Sequence, residues 1–154
     1  MASIRLDGVT KVYPDGTVAV DAVDLLVPEG GFAAILGPSG SGKSTLVRMV
    51  AGLEEITDGD VLVDGTSIDG RKTSDRRLGM VSQQCTNYPH MTVRENLSFP
   101  LRLEGWKRRD VRRRVAEIAD LVGLGPMLDL HPAQLSGGMQ QRTSIGRALV
   151  RDPD

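Results

Sequence analysis

The sequence is short of cysteine, of aromatic side chains and of any surplus of charge, and each shortage removes a class of protein. Its one cysteine, Cys85, allows no internal disulfide and no multi-cysteine zinc site, which fits a reducing compartment. At 3% aromatic residues the core must be aliphatic. Nineteen Lys and Arg stand against twenty Asp and Glu, for a net charge of −1, so nothing global argues for nucleic acid or an acidic membrane surface, and any such contact must be local. No window approaches the roughly 18 apolar residues of a spanning helix. The opening MASIRLDGVTKVYPDG carries charges where a signal peptide needs an apolar run. The expectation is therefore a cytosolic chain, reaching a membrane only through partners. His90 and His131 are isolated, without metal-ligand spacing, and read as loop residues.

What is present fits one globular domain: 154 residues, 40% hydrophobic and 25% charged. Residues Ile4 to Thr10 and Val18 to Val27 alternate apolar and polar over much of their length around the turn-forming YPDG at Tyr13 to Gly16, which predicts an antiparallel hairpin. After Pro28 to Gly31, FAAIL (residues 32–36) is an uninterrupted apolar run of the kind expected of a central strand buried on both faces. From Lys43 the pattern turns helical, with Leu46, Val47, Val50 and Ala51 on one face and Gly52 as the stop. Short strands are expected at Gly59 to Gly65 and at Arg77 to Gln83, the latter opening into a loop with Asn87, Pro89 and His90. Helices are expected over Thr92 to Arg102, Lys107 to Val122 and Ser136 to Val150, with GLGPM as a break. No internal repeat, low-complexity tract or long linker interrupts this.

Gly37, Pro38, Ser39, Gly40, Ser41, Gly42, Lys43, Ser44 and Thr45 spell GPSGSGKST, which contains the phosphate-loop pattern GxxxxGK[ST] between a strand-like run and a helix. Glycines let the backbone turn its N–H groups around phosphate oxygens with no Cβ in the way. The helix that follows presents its positive end to the same anion. In this chemistry Lys43 neutralises charge on the β- and γ-phosphates, the Ser44 hydroxyl is a ligand for magnesium, and Thr45 bonds the α-phosphate side. A phosphate loop does not by itself choose among kinases, GTPases, helicases and transporters.

A second motif does. Leu135 to Arg142 reads LSGGMQQR, about ninety residues beyond the loop, and resembles the signature of ABC ATPases, usually LSGGQ. The resemblance spans essentially the whole chain, through AGLEEITDGDVLVDG, the glutamine loop GMVSQ and YPHMTVRENLSFPLR. This last run is similar to the ATP-binding subunits of carbohydrate-type importers. It implies an α/β P-loop NTPase fold of the ABC type, with an N-terminal antiparallel β subdomain and a helical subdomain. The divisions expected are 1–84 for the nucleotide-binding core, 85–135 for the helical part and 136–154 for the signature helix. It also implies ATP and Mg2+ as cofactors. Tyr13 takes the place of the aromatic that stacks on adenine. Gln83, rather than the adjacent Gln84, matches the glutamine that reaches magnesium and the attacking water and couples the site to the transmembrane partner. Ser136, Gly137 and Gly138 match the signature residues that bind the γ-phosphate held by a second subunit.

The implied partners are transmembrane permease subunits, a second ATP-binding subunit in a head-to-tail dimer and, indirectly, a solute-binding protein, at the cytoplasmic face of the membrane. Nucleic acid is not expected. A soluble ABC ATPase of DNA repair or translation, or a fragment that only binds nucleotide, is the alternative. Two positions depart from the family: Met139 stands where glutamine is usual, putting a polar contact across the dimer in doubt, and Ser82 stands where phenylalanine is common. The family's next strand, with the aspartate and glutamate that serve magnesium and water, would follow Asp154, and a later histidine contacts the γ-phosphate. The part of the core sheet C-terminal to this point is therefore expected to be missing, and hydrolysis by this chain alone to be negligible. Elsewhere, KRRDVRRR (Lys107 to Arg114) reads as a solvated helix face, with contact to a partner subunit or to phosphate headgroups, or to nucleic acid, as the alternatives. Cys85 reads as a small packing residue, and Trp106 as an anchor for the start of its helix.

Overall fold

In the computed structural model, residues 2–84 and 86–153 are described. The expectation for Cys85 lies outside them. The chain divides into two compact units, one over residues 1–78 and the other over 79–153.

The first unit is built on a four-stranded antiparallel sheet in the order β2-β1-β3-β4, from β1 (Ile4–Val12), β2 (Val18–Val27), β3 (Asp58–Val63) and β4 (Thr66–Ser67). The expected hairpin forms, with Ile4 opposite Val27 and Val12 opposite Val18. The Tyr13 N–H donates to the Thr17 carbonyl at 2.9 Å to close its turn. Leu6 and Val9, three apart, would face opposite ways in a regular strand. A register shift between them brings both inward, to 3% and 0% exposure, as a bulge does. They pack with Val20, Val61 and Ile68 against Leu46 and Met49, which belong to α1 (Lys43–Val50). Of the expected apolar face of α1, Leu46 and Ala51 are buried and Val50 packs against the core, while Val47 is exposed and Met49 is buried in addition.

Two expected strands are not formed. Residues 32–36 and 77–83 contain no strand, and Phe32 and Leu36 are 93% and 89% exposed. A run that is apolar on both faces is held as a strand only by neighbours hydrogen-bonded along its edges. Among the described residues the sheet strands pair with one another and not with 32–36.

The second unit is helical: α2 (Val93–Leu103), α3 (Arg108–Leu121) and α4 (Gly137–Leu149), with short 3-10 turns at Gly125–Met127, where GLGPM was expected to break the chain, and at Pro132–Gln134. A capping box starts α2: the Thr92 hydroxyl accepts from the Glu95 N–H while the Glu95 carboxylate accepts from the Thr92 N–H. That bonding holds the Glu95 carboxyl below its ordinary value. The apolar spacing of α3 places Val111, Val115 and Ile118 against Leu97 and Leu101 of α2. Asn96, fully buried, fixes the chain ahead of α2: its amide donates to the carbonyls of Tyr88, Met91 and Thr92 at 3.0–3.1 Å and accepts from the Tyr88 N–H at 2.8 Å.

Candidate functional site

Residues 37–45 turn tightly into α1. Gly42 is the N-cap, in the left-handed region at φ 81°. A Cβ there would run into the carbonyl oxygen of Ala19 on β2. Glycine is thus required twice, by backbone conformation and by the closeness of the hairpin. The first helical bond runs from the Leu46 N–H to the Gly42 carbonyl at 2.8 Å, so the N–H groups of Lys43, Ser44 and Thr45 precede the ladder and point out of the helix end. The Lys43 ammonium lies over the loop and donates to the Pro38 carbonyl at 2.5 Å and to Ser41 Oγ at 3.3 Å. Ser41 Oγ donates to the same carbonyl at 2.9 Å. Ser44 is exposed and Thr45 half-buried. One ammonium, two hydroxyls and three amide N–H groups at the positive end of a helix form a donor set for a multiply charged anion.

The opposite end of α1 is held by a residue that sequence reasoning missed. Arg76, 7% exposed, donates to the carbonyls of Met49 and Val50 at 2.9 and 3.0 Å and to that of Arg71 at 3.2 Å. It places a cation on the terminal carbonyls, where the helix dipole is negative. Burial lowers its pKa, an effect that Asp69 opposes. A Cβ on Gly52 would strike the guanidinium, so the predicted helix stop also makes room for the cap.

Tyr13 sits half-buried at the hairpin turn with the Lys11 ammonium 5.3 Å from its ring centre. Lys11 is in turn tied to Glu54 at 3.0 Å and to the Glu55 carbonyl at 2.7 Å. These groups and residues 37–45 belong to the first unit, whereas Gln83 and Ser136 to Gly138 belong to the second.

In the second unit Ser136 caps α4, its Oγ accepting from the Met139 N–H at 3.4 Å. A Cβ on Gly137 or Gly138 would meet nothing within 4 Å, so the first turn of α4 presents bare backbone. Met139 is half-buried and packs against the helical core, so its side chain contributes apolar contact within its own unit. The far end of α4 is capped by Arg114 from α3, which donates to the Val150 and Leu149 carbonyls at 3.1 Å and pairs with Asp152 at 3.0 Å. The two helices with glycine-bearing N-termini thus both end on an arginine. No spacing rule announces either one.

Gln83 lies exposed in an irregular segment, where Ser82 Oγ donates to the Gln84 carbonyl at 2.5 Å. Just beyond, the Asn87 amide donates to the Gln140 carbonyl at 2.9 Å and accepts from the Ser144 hydroxyl at 3.1 Å. Arg147 donates to the Thr86 carbonyl and lies 4.3 Å from the Tyr88 ring centre. The loop after Gln83 is therefore fastened to α4, the helix that carries the signature. Among the described residues no group of three or more His, Cys, Asp or Glu side chains could hold a metal.

The chain is 44% identical to the sn-glycerol-3-phosphate import ATP-binding protein UgpC of Chromohalobacter salexigens, covering 99% of this chain and 41% of that protein. It is 45% identical to the trehalose import ATP-binding protein SugC of Mycobacterium tuberculosis, covering 99% and 39%. The chain thus spans about two fifths of the length of these relatives. Among solved structures it resembles the ATP-binding cassette MJ0796, described as a dimer in a post-hydrolysis state bound to ADP and Pi, with TM-score 0.86 and 36% identity over 97% of this chain and 70% of that one. The family described as ABC transporter matches residues 20–154, and the chain belongs to that family.

Proposed function

We propose that this chain is the nucleotide-binding part of an ABC importer's ATP-binding subunit and takes magnesium ATP at residues 37–45. The observation that carries the reading is the start of α1, where Lys43 and the exposed Ser44 follow a left-handed Gly42 locked against β2. The donor set fits a triphosphate: backbone amides and Lys43 for its oxygens, Thr45 on the α-phosphate side, Ser44 for the metal. Tyr13 offers its ring to adenine. Bound there, magnesium ATP supplies the phosphoanhydride whose binding and cleavage drive transport.

Each residue then has a separate task. Lys43 leaves the Pro38 carbonyl, which now accepts from it, and neutralises phosphate charge. Gln83, a neutral amide, orients water without deprotonating it. The loop itself contains no carboxylate or imidazole, so we infer that this chain binds nucleotide and turns it over slowly. Ser136, Gly137 and Gly138 present the bare first turn of α4 to the γ-phosphate held by a second copy, in a head-to-tail dimer. The names of the relatives support a sugar or a related small compound as the solute. Docking on permease subunits is supported by the same names. No helix among the described residues is long and apolar enough to cross a membrane. We further propose the functional divisions 1–84, 85–135 and 136–154.

The test is titration of the folded chain with a nonhydrolysable ATP analogue and magnesium by calorimetry, beside Lys43→Ala. Saturable binding that Lys43→Ala weakens by about tenfold or more, the loss of one charge-assisted bond, supports the reading. No binding, or binding indifferent to Lys43, refutes it.

A further inference from the structure

The basic run of α3 separates into two sets of side chains. Arg113 pairs with Asp110 at 3.2 Å and lies 3.8 Å from Glu117, while Arg114 caps α4. Arg108 and Arg112 instead turn toward α2 and, with Arg94, Arg102, Trp106 and Ser98, line a half-open cleft of about 520 Å³. Its floor is Val111 and Val115, both buried. Arg94 already binds Asp129 at 3.0 Å. Among the described residues no carboxylate lies within ion-pair distance of Arg102, Arg108 or Arg112. Arg102 feels the charge of Glu95, whose carboxylate it stabilises, which leaves the Arg108 and Arg112 guanidinium groups without an acidic partner on a concavity with an indole wall and an apolar floor.

We infer that this cleft is a second anion site, distinct from the phosphate loop, that takes a phosphate monoester with an apolar or planar body. The volume is that of a small-molecule site. A phosphate monoester gathers nearly two negative charges and three acceptor oxygens on one atom, matching several guanidinium forks at once. An acidic peptide spreads single charges along an extended chain and fits a groove better than a cleft of this size. Trp106 and the two valines contact the body of the ester, and the arginines hold its head. The source is either a soluble phosphate ester or the headgroup of an anionic lipid, since both present the same chemistry.

Trp106 is the only tryptophan in the chain and reports on its own cleft. The full chain is titrated with phenyl phosphate and, separately, with phosphatidylcholine vesicles with and without phosphatidic acid, while Trp106 fluorescence is followed. A saturable response is expected that persists in Lys43→Ala, so that this site and the nucleotide site fail or succeed independently. Replacing Arg108 and Arg112 together by Ser should weaken it about tenfold or more, as loss of charge-assisted bonds does. Arg113→Ser, outside the cleft, should leave it unchanged. A response to phenyl phosphate assigns a soluble source, and one confined to phosphatidic acid vesicles assigns a lipid headgroup. If the double variant loses its helical circular dichroism, Arg112→Lys, which keeps the charge and removes the fork, is read for the same loss of affinity. No response to either phosphate source, a response undiminished in the folded variants, or a stronger response to polyglutamate overturns the inference.

Discussion

Replacing Arg76 by Met should destabilise the first unit while leaving its anion-binding end chemically intact. The guanidinium makes three bonds, at 2.9, 3.0 and 3.2 Å, two of them to the last carbonyls of α1. Hydrogen bonds to a charged group contribute about 1.5–3 kcal/mol each, and a buried acceptor left without a donor costs about 1–3 kcal/mol; the Met49 carbonyl keeps the Gly52 N–H at 3.0 Å, so the second cost falls on Val50. Against this, burial already disfavours the cation, so its removal returns part of the desolvation energy. The net loss is about 3 kcal/mol. With a urea slope of about 1.5 kcal/mol/M the unfolding midpoint falls by about 2 M. The assay is urea unfolding followed by far-ultraviolet circular dichroism, with nucleotide affinity measured on the folded fraction. A midpoint shift below about 0.5 M would show that water caps α1 as well as Arg76 does, and the reasoning about the helix end would be wrong.

Gly42→Ala should abolish nucleotide binding and lower stability by more than about 2 kcal/mol, since the left-handed conformation alone costs about 1–2 kcal/mol before the collision with Ala19; wild-type affinity in this variant would contradict the loop geometry. Asn96→Leu leaves the Tyr88 N–H and the Met91 carbonyl without this partner, while the Thr92 and Tyr88 carbonyls keep the backbone N–H groups of residues 96 and 91, for an expected loss of about 2–4 kcal/mol, measured by thermal unfolding of the second unit. Glu95 provides a pH test. Its folded-state pKa lies below the ordinary 4.5, first through the Thr92 N–H bond and then through the Thr92 hydroxyl. The stabilisation is complete above 4.5 and disappears as pH falls through the lower folded value. Glu95→Gln keeps an acceptor but does not titrate, so the melting-temperature advantage of wild type over the variant should shrink from about pH 6 to about pH 3. An advantage that grows with acidity would reverse the assignment.

How much was legible beforehand depended on whether the signal was local. The hairpin and all four long helices could be read from spacing, because turn geometry and helical period are written in neighbouring residues. The two unformed strands, 32–36 and 77–83, were misread because apolarity announces burial but not the partner that supplies an edge. Arg76 and Arg114 were invisible for a related reason: an arginine that caps a helix from another part of the chain is indistinguishable in sequence from one in solvent. Asn96 has no feature in the sequence that sets it apart from other polar residues, and only its four bonds reveal that it anchors the segment after Gln83. Met139, read as a lost polar contact across the dimer, also packs against the core of its own unit, which its spacing does not announce.

The central claim is that residues 37–45 form the phosphate site, and backbone amide resonances test it most directly. On addition of magnesium ADP to the labelled chain, the amides of Gly40 to Thr45 should shift together and saturably, and the shifts should be lost in Lys43→Ala. Shifts confined to the second unit, or none at Lys43 and Ser44 at saturating nucleotide, would contradict the account.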